Sequence, residues 1–323
     1  MKILLTGYSG FLGTHLVQAL KNDYKLRLLG RKKTELGACE HFFCEMTPQF
    51  DFGEAVSFCD IVIHAAARVH VMDENVSDPL SAFRDVNTHA TVEFAKQAAK
   101  AGVKRFIFIS SVKVNGESTT GREPYTVEDA PAPEDPYGIS KAEAEQELLD
   151  IARNTGMEVV IIRPPLVYGK GVKANFSSLM NLVAKGFPLP FSCINMNKRS
   201  LVSVTNLVDL ILTCIDHPKA VNQVFLVSDD HDVSTASMVR YMSKALGKSC
   251  ILLPVPLWCY RLVGRVTGKM DVVDRLLGSL QVDITHTKDT LGWIPPQTLE
   301  EGFKETAEAF LLNKKEYMYD SSN

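Results

Sequence analysis

The chain has 323 residues, of which 46% are hydrophobic and 23% charged, with a formal net charge of −3. These values predict a globular protein with a substantial core, and the absence of long Lys/Arg runs argues against a nucleic-acid partner. No segment approaches the ~18 apolar residues of a spanning helix, so no membrane partner is expected. The seven cysteines form no C-x-x-C pair, which favours free thiols, no metal site and a cytoplasmic location.

The segment Lys2–Thr6 is a predicted strand, and an apolar helical pattern covers residues 12–20. A glycine-rich turn joins them. This order is typical of dinucleotide-binding folds, because glycines let the backbone approach a pyrophosphate and the helix N-terminus offers free N–H groups to it. The predicted cofactor-binding residues of the turn are Gly7, Ser9, Gly10, Phe11, Leu12 and Gly13.

A second predicted strand, Lys25–Leu29, is followed by Gly30, Arg31 and Lys32. NAD-binding folds usually carry an acidic residue here for the ribose 2′-hydroxyl, and this chain has none at that place. Arg31, with Lys32, is predicted to pair with the 2′-phosphate of NADP, since a guanidinium donates two hydrogen bonds to phosphate. NADP(H) is therefore the favoured cofactor and NAD the alternative, although a solvated basic loop would also explain these residues.

The next predicted strand covers residues 60–64 and ends in His64. The small residues Ala65, Ala66 and Ala67 follow it and are predicted to let the backbone pass close to a bound cofactor. His64 is interpreted as a structural hydrogen-bonding residue, because a lone histidine at a strand end seldom acts as a catalyst.

Helices over residues 79–101 and 137–154 alternate with strands over residues 104–110 and 158–163. This alternation predicts an α/β fold with a doubly wound parallel sheet of the Rossmann type, whose ligands bind at the carboxyl ends of the strands.

The later part of the chain has shorter elements, which predict a second, smaller and discontinuous α/β substrate lobe. Segments 200–204 and 223–227 are predicted strands that return to the main sheet. Residues 1–165 plus about 198–228 are assigned to the dinucleotide-binding domain. Residues 166–197 plus 229–313 are assigned to the substrate lobe, and residues 314–323 to a frayed tail.

Tyr137 and Lys141 stand four residues apart at the start of a predicted helix, so their side chains share one face. A nearby ammonium lowers the pKa of a tyrosine from its usual ~10, which would make Tyr137 a general acid/base. Ser110 and Ser111 follow a strand at the same edge of the sheet. Each pattern alone is explained by a helix start or a loop; together they favour Ser111, Tyr137 and Lys141 as catalytic residues.

Further motifs are found along nearly the whole chain. They are Asn87, Arg163-Pro164-Pro165, Val167-Tyr168-Gly169, Arg199-Ser200-Leu201-Val202-Ser203-Val204 and Leu291-Gly292-Trp293-Ile294-Pro295. In their order and spacing, these motifs and the preceding ones resemble the extended short-chain dehydrogenase/reductase family, in particular its nucleotide-sugar epimerase, dehydratase and reductase branch.

The resemblance implies that Tyr137 exchanges a proton with a sugar oxygen and that Ser111 hydrogen-bonds the same oxygen. Lys141 would hold the nicotinamide ribose. Arg199 matches the family's diphosphate-binding arginine, with Arg275 a looser candidate for a second one. Asn175 is a candidate for the uracil side of the pocket. Ser110 and Pro164 complete the predicted cofactor-binding residues, and the implied partner is a UDP-linked sugar.

Dehydratases of this branch carry an acidic residue just after the active-site hydroxyl, where this chain has Val112 and Lys113. Dehydration is therefore not expected. The missing acid and Arg31 after the second strand favour a UDP-4-ketosugar reductase. The loop Arg68-Val69-His70-Val71-Met72-Asp73-Glu74 also resembles reductases of surface-polysaccharide precursor synthesis. The alternative is a UDP-hexose 4-epimerase acting on UDP-glucose or UDP-N-acetylglucosamine, and a more distant one is a non-catalytic NADP-binding protein. The resemblance also implies a homodimer through the helices over residues 79–101 and 137–154.

Overall fold

The computed structural model describes residues 1–32, 39–69 and 78–320, and over these residues the chain forms nine β-strands and twelve α-helices. The strands are β1 (Lys2–Thr6), β2 (Lys25–Leu29), β3 (Glu40–Phe42), β4 (Ile61–His64), β5 (Arg105–Ile109), β6 (Glu158–Arg163), β7 (Leu166–Tyr168), β8 (Leu201–Ser203) and β9 (Gln223–Leu226). The helices are α1 (Phe11–Leu20), α2 (Gly53–Val56), α3 (Pro79–Arg84), α4 (Ala90–Lys100), α5 (Pro136–Thr155), α6 (Ala174–Ala184), α7 (Val204–Asp216), α8 (Thr235–Ala245), α9 (Leu257–Thr267), α10 (Met270–Leu277), α11 (Thr285–Leu291) and α12 (Leu299–Asp320).

Seven strands form one sheet in the order β3-β2-β1-β4-β5-β6-β9, and all neighbours run parallel. The first six strands have the Rossmann order, which confirms the predicted doubly wound sheet. Side chains alternate between the two faces, so Ile3 and Leu5 join a core cluster with α1 and α7. Leu4 joins the opposite cluster with α4 and α5. Both faces of the sheet are thus buried, as a parallel sheet requires.

The apolar faces of α4 and α5 pack against the chain's own sheet. Glu143 of α5 forms an ion pair of 2.5 Å with Arg84 at the end of α3. None of the exposed large apolar side chains in the described part of the chain lies on α4 or α5. The homodimer through these helices stays a prediction.

Two predicted elements differ from the structure. The strand predicted over residues 200–204 does not return to the main sheet: β8 pairs with β7, and β9 takes the place beside β6. The helix predicted over residues 79–101 is interrupted by a π-helical turn at Asp85–His89. Neither difference has a local sequence signal, because strand pairing and a one-residue helix bulge depend on distant contacts.

A third apolar cluster lies outside the main sheet and combines β7, β8, α6, α8 and α12. Its members come from two separated parts of the chain, in accord with a discontinuous second lobe, whose boundaries stay a prediction. α12 continues to Asp320, and the frayed tail from residue 314 stays a prediction. Lys, Glu and Met in this segment favour the helix. Among the described residues, no helix is long and apolar enough to cross a membrane.

Candidate active site

A groove of about 750 Å³ lies at the carboxyl ends of β1, β2 and β4. Of the predicted cofactor-binding residues, the structure brings together Gly7, Ser9, Gly10, Arg31, Ala65, Ala66 and Ala67 in its lining. Phe11, Leu12, Gly13, Lys32, Ser110 and Pro164 do not line it. Cys44, Glu45 and Met46 also line the groove, and sequence reasoning missed them because they follow β3, a three-residue strand with no periodic signal.

The glycine turn makes a close backbone contact that no side chain would permit. Gly7 has a φ of +71°, and a Cβ atom there would lie 2.6 Å from the backbone carbon of Ala65. A Cβ atom on Gly13 would lie 2.0 Å from the carbonyl oxygen of Gly7. The turn therefore brings backbone N–H groups and the N-terminus of α1 to the groove, the arrangement that binds a dinucleotide pyrophosphate.

Asn87 fixes the loop that follows β4, and it lies in the π-helical turn. Its Oδ1 accepts a hydrogen bond from the Arg68 N–H at 2.8 Å, and its Nδ2 donates to the Arg68 carbonyl at 3.0 Å. Nδ2 also lies 3.1 Å from the Ser140 hydroxyl on α5. One buried amide thus ties the groove wall to the helix that carries Tyr137 and Lys141.

His64 is a structural residue, as its sequence position suggested. Its ring nitrogens contact the hydroxyls of Thr6 at 2.7 Å and Thr91 at 3.0 Å. Burial, and then the charge of Lys141, lower its pKa to about 3, so the ring is neutral near pH 7.

An ion pair joins the loop of Ser111 to the first turn of α5. The Ser111 hydroxyl accepts a hydrogen bond from the Lys113 N–H at 3.2 Å. The Lys113 ammonium contacts Asp135 at 2.6 Å, and Asp135 caps α5 by accepting from the Gly138 N–H at 2.6 Å. This pair therefore holds the Ser111 loop against the helix start that carries Tyr137. The sequence signal was present, since an Asp before a proline is typical of a helix N-cap.

The pKa values of Tyr137 and Lys141 differ from the predicted direction. Burial, and then the charge of Asp135, raise the pKa of Tyr137 to about 12. Burial lowers the pKa of Lys141 to about 7, although Glu145 opposes that shift. The Lys141 ammonium lies 3.8 Å from the centre of the Phe108 ring. The prediction that this ammonium lowers the tyrosine pKa is wrong for this structure, because desolvation dominates both groups.

The Lys141 nitrogen has no hydrogen-bond partner among the described residues, although it is fully buried. A buried ammonium without a partner is costly, and hydroxyl acceptors on a ligand would satisfy it. This nitrogen and the glycine turn together fit a nicotinamide dinucleotide. Among the described residues, no group of three or more His, Cys, Asp or Glu side chains could hold a metal ion.

A buried ion pair lies one helical turn beyond Lys141 and was not anticipated. The Arg163 Nε donates to both oxygens of Glu145, at 3.0 and 3.1 Å, and its Nη1 donates to Asn115 at 3.0 Å. The Ser110 hydroxyl donates to Glu145. Ser110 is therefore part of this network, and its predicted contact with the cofactor stays a prediction. The carbonyl of Pro164 accepts from the Val112 N–H at 3.0 Å.

The two predicted diphosphate-binding arginines are brought together. The Arg199 guanidinium donates to the carbonyl of Arg275 at 2.7 Å and to that of Gly278 at 3.4 Å. Burial, and then the neighbouring Arg275 charge, lower the pKa of Arg199. Two adjacent cations favour an anionic ligand. Asn175 lies outside the residues whose side chains the structure describes.

The Rossmann sheet, the groove along its carboxyl edge and the serine, tyrosine and lysine of β5 and α5 define an enzyme of the extended short-chain dehydrogenase/reductase type. The model of the NAD dependent epimerase/dehydratase family matches residues 3–228. The chain belongs to this family, and it is an NAD(P)-dependent enzyme of the nucleotide-sugar epimerase type.

Relatives of known name cover almost the whole chain. A UDP-glucose 4-epimerase from Vibrio cholerae is 59% identical over 96% of this chain and 95% of its own length. An N-acetyl-alpha-D-glucosaminyl-diphospho-ditrans,octacis-undecaprenol 4-epimerase from Escherichia coli O157:H7 is 28% identical over 97% of this chain and 96% of its own length. The crystal structure of UDP-glucuronic acid 4-epimerase from Bacillus cereus in complex with NAD superposes with a TM-score of 0.78 at 19% identity, over 97% and 99% of the two chains.

The Vibrio cholerae relative overturns the predicted UDP-4-ketosugar reductase and favours the alternative, a UDP-hexose 4-epimerase. The error has a physical reason. The prediction depended on Arg31 after β2 and on the loop 68–74, of which residues 70–74 lie outside the described residues. Ser111 follows β5, and β2 and β5 are three places apart in the sheet. At the usual strand spacing this is about 14 Å. Basic side chains at that distance do not indicate whether the reaction at the sugar is a reduction or an epimerisation.

Proposed function

We propose that the protein is a UDP-hexose 4-epimerase that interconverts UDP-glucose and UDP-galactose. The observation that carries this proposal is the 59% identity to a UDP-glucose 4-epimerase over almost the whole of both chains. The joining of the Ser111 loop to the Tyr137 helix through Lys113 and Asp135 supports it. A non-catalytic dinucleotide-binding protein would not be expected to keep Ser111, Tyr137 and Lys141 together.

NAD would supply reversible hydride transfer at sugar C4, and the glycine turn and Lys141 would hold it. Tyr137 is the proposed acid/base at the C4 oxygen. Burial raises its pKa to about 12. The neutral phenol would donate a proton to the ketone oxygen in the reducing half of the cycle, and the phenolate would accept the C4 hydroxyl proton in the oxidising half. Ser111 is the proposed hydrogen-bond donor to the same oxygen. Lys141 is proposed to hold the nicotinamide ribose through its otherwise unpartnered nitrogen.

The sugar diphosphate is proposed to bind Arg199 and Arg275. Burial, and then the Arg275 charge, lower the pKa of Arg199, and a diphosphate bound by the two guanidinium groups would offset both effects. Asn175 remains the candidate for the uracil side.

We propose NAD as the cofactor, and Glu45 supports this choice. Glu45 lines the same groove as Arg31, so a carboxylate is available to a ribose hydroxyl although none follows β2. An epimerase also uses its cofactor in both directions within one cycle and gains from holding it. NADP preference, which the sequence predicted from Arg31, remains untested. Mass spectrometry of the nucleotide released from denatured protein decides between them: stoichiometric NAD is expected, and bound NADP would contradict the proposal.

The decisive test of function is the interconversion of UDP-glucose and UDP-galactose, followed by NMR without added cofactor. The variant Tyr137→Phe is expected to keep its nucleotide. Its kcat is expected to fall by a factor of about 10²–10⁴, the usual contribution of a positioned acid/base. Tyr24→Phe is the matched control, because Tyr24 precedes β2 at the opposite, amino edge of the sheet. Unchanged turnover in Tyr137→Phe would remove this residue from the mechanism, and absent turnover in the unmodified enzyme would reject the epimerase.

The homodimer is proposed on family resemblance, and sedimentation equilibrium tests it. A mass of about twice 35.8 kDa is expected. A monomeric mass would reject the dimer. The role in surface-polysaccharide synthesis also stays a prediction from the sequence.

A further inference from the structure

Helix α9 packs against the rest of the chain along a single narrow strip of its surface. Its one buried residue is Gly264, where an added Cβ atom would lie 2.8 Å from Val273 of α10. Trp258, Leu262 and Val266 are 64%, 53% and 79% exposed. These three residues are spaced by four, so they form one apolar stripe along the solvent side of the helix.

The apolar stripe continues into the segment before α9. Ile251 and Leu253 are 60% and 43% exposed. Their backbones pair with Leu189, which places the 61% exposed Phe187 beside them. The α9 surface is defined as the stripe together with these exposed residues: Phe187, Ile251, Leu253, Trp258, Leu262 and Val266. Large exposed apolar surfaces mark interaction sites.

The charged side chains of α9 itself are all positive, while α10 beside it carries the exposed Asp271 and Asp274. Arg261 and Arg265 are exposed, lie one turn apart on α9, and flank the apolar stripe, and α9 contains no acidic residue. None of the ion pairs found within residues 1–32, 39–69 and 78–320 involves them. A tryptophan and aliphatic stripe flanked by arginines is the composition of helices that lie in the interface of an anionic membrane.

A second copy of the chain fits this surface less well. In a two-fold interface centred on α9, Arg261 and Arg265 would face the same two residues of the partner, and like charges in an interface core are unfavourable. Anionic lipid headgroups would instead complement both arginines while the stripe enters the headgroup layer.

We propose that the α9 surface docks the enzyme peripherally on a membrane that carries anionic headgroups. The helix that follows α9 leads directly to the candidate diphosphate site, since the carbonyl of Arg275 on α10 accepts from Arg199. Docking therefore places the candidate diphosphate site near the membrane. This revises the expectation of no membrane partner, and it does not depend on the proposed epimerase activity.

Cosedimentation of the full chain with vesicles tests the proposal. The unmodified protein is expected to bind vesicles of mixed phosphatidylcholine and phosphatidylglycerol, and to be released by high salt, because exposed charges are screened. Arg261→Gln/Arg265→Gln is expected to bind about 30-fold more weakly, from the usual contribution of two cations near an anionic surface. Trp258→Gln/Leu262→Gln is expected to lose binding at least as strongly.

Two matched controls lie at the amino edge of the sheet. Lys100→Gln/Lys104→Gln removes the same charge from exposed positions at the end of α4 and before β5. Phe58→Gln removes an aromatic ring that is 90% exposed before β4. Both controls are expected to bind like the unmodified protein, and circular dichroism of every variant is expected to show an unchanged fold.

Three outcomes would overturn the proposal. The first is that the unmodified protein does not bind anionic vesicles. The second is a lack of specificity: the unmodified protein binds pure phosphatidylcholine vesicles equally well, or the control variants lose as much binding as the α9 variants. The third is a change of sedimentation mass in Trp258→Gln/Leu262→Gln, which would assign the surface to a second copy. Turnover of soluble UDP-glucose is measured in parallel and is expected to be unchanged in the α9 variants, so failure of docking and failure of the proposed activity are distinguishable.

Discussion

The buried pair of Arg163 and Glu145 offers a sharp test of how the catalytic edge of the sheet is held. Their side chains are only 5% and 4% exposed, and they join β6 to the middle of α5, one turn beyond Lys141. Ser110 and Asn115 complete the network. Removing one partner of such a pair leaves an uncompensated charge in a dry site.

The variants Arg163→Met and Glu145→Gln are each expected to lower the free energy of unfolding by about 3–5 kcal/mol. The double variant leaves no uncompensated charge, so it is expected to lose no more than either single variant. Arg153→Met is the matched control. It breaks the exposed Arg153–Asp150 pair on the same helix, where a loss of less than about 1 kcal/mol is expected.

Urea unfolding followed by far-UV circular dichroism gives these free energies. Losses below about 1 kcal/mol in both single variants would refute the reasoning, because they would equal those of an exposed pair. Strictly additive losses in the double variant would show that the two charges do not interact.

Two other predictions follow from the groove and its lysine. In nucleotide-free protein Lys141→Met is expected to be more stable than the unmodified chain. The pKa of Lys141 is about 7 in the fold and 10.5 when unfolded, so the unfolded chain binds more protons between these values and stability rises with pH. The advantage of the variant should shrink by about 2 kcal/mol from about pH 7 to about pH 9, measured by urea unfolding, and a constant advantage would contradict the lowered pKa. Gly7→Ala is expected to weaken NAD binding about tenfold or more in fluorescence titration, because its Cβ atom would collide with Ala65. Gly102→Ala, at a φ of +83° with no atom within 4 Å of the added Cβ atom, should bind NAD normally.

Much of the fold could be predicted because its signals are local. Neighbouring residues specify the order of β1, glycine turn and α1. They also specify the alternation of apolar strands with amphipathic helices. β2, β4, β5, β6 and β9 lie within one residue of their predicted bounds at each end. The short strand β3 and the pairing of β8 with β7 could not be predicted, since three residues carry no periodic pattern and pairing depends on which edge is free.

The sequence by itself determined the parallel sheet, the place of the dinucleotide groove and the shared helix face of Tyr137 and Lys141, because these depend on residues a few positions apart. Only the tertiary structure decided the rest. It brought Glu45 into the groove, paired Arg163 with Glu145, and placed Arg199 beside Arg275. It also buried Lys141, so that desolvation set its pKa. These properties depend on contacts between distant parts of the chain and on the exclusion of water, which no local pattern of residues specifies.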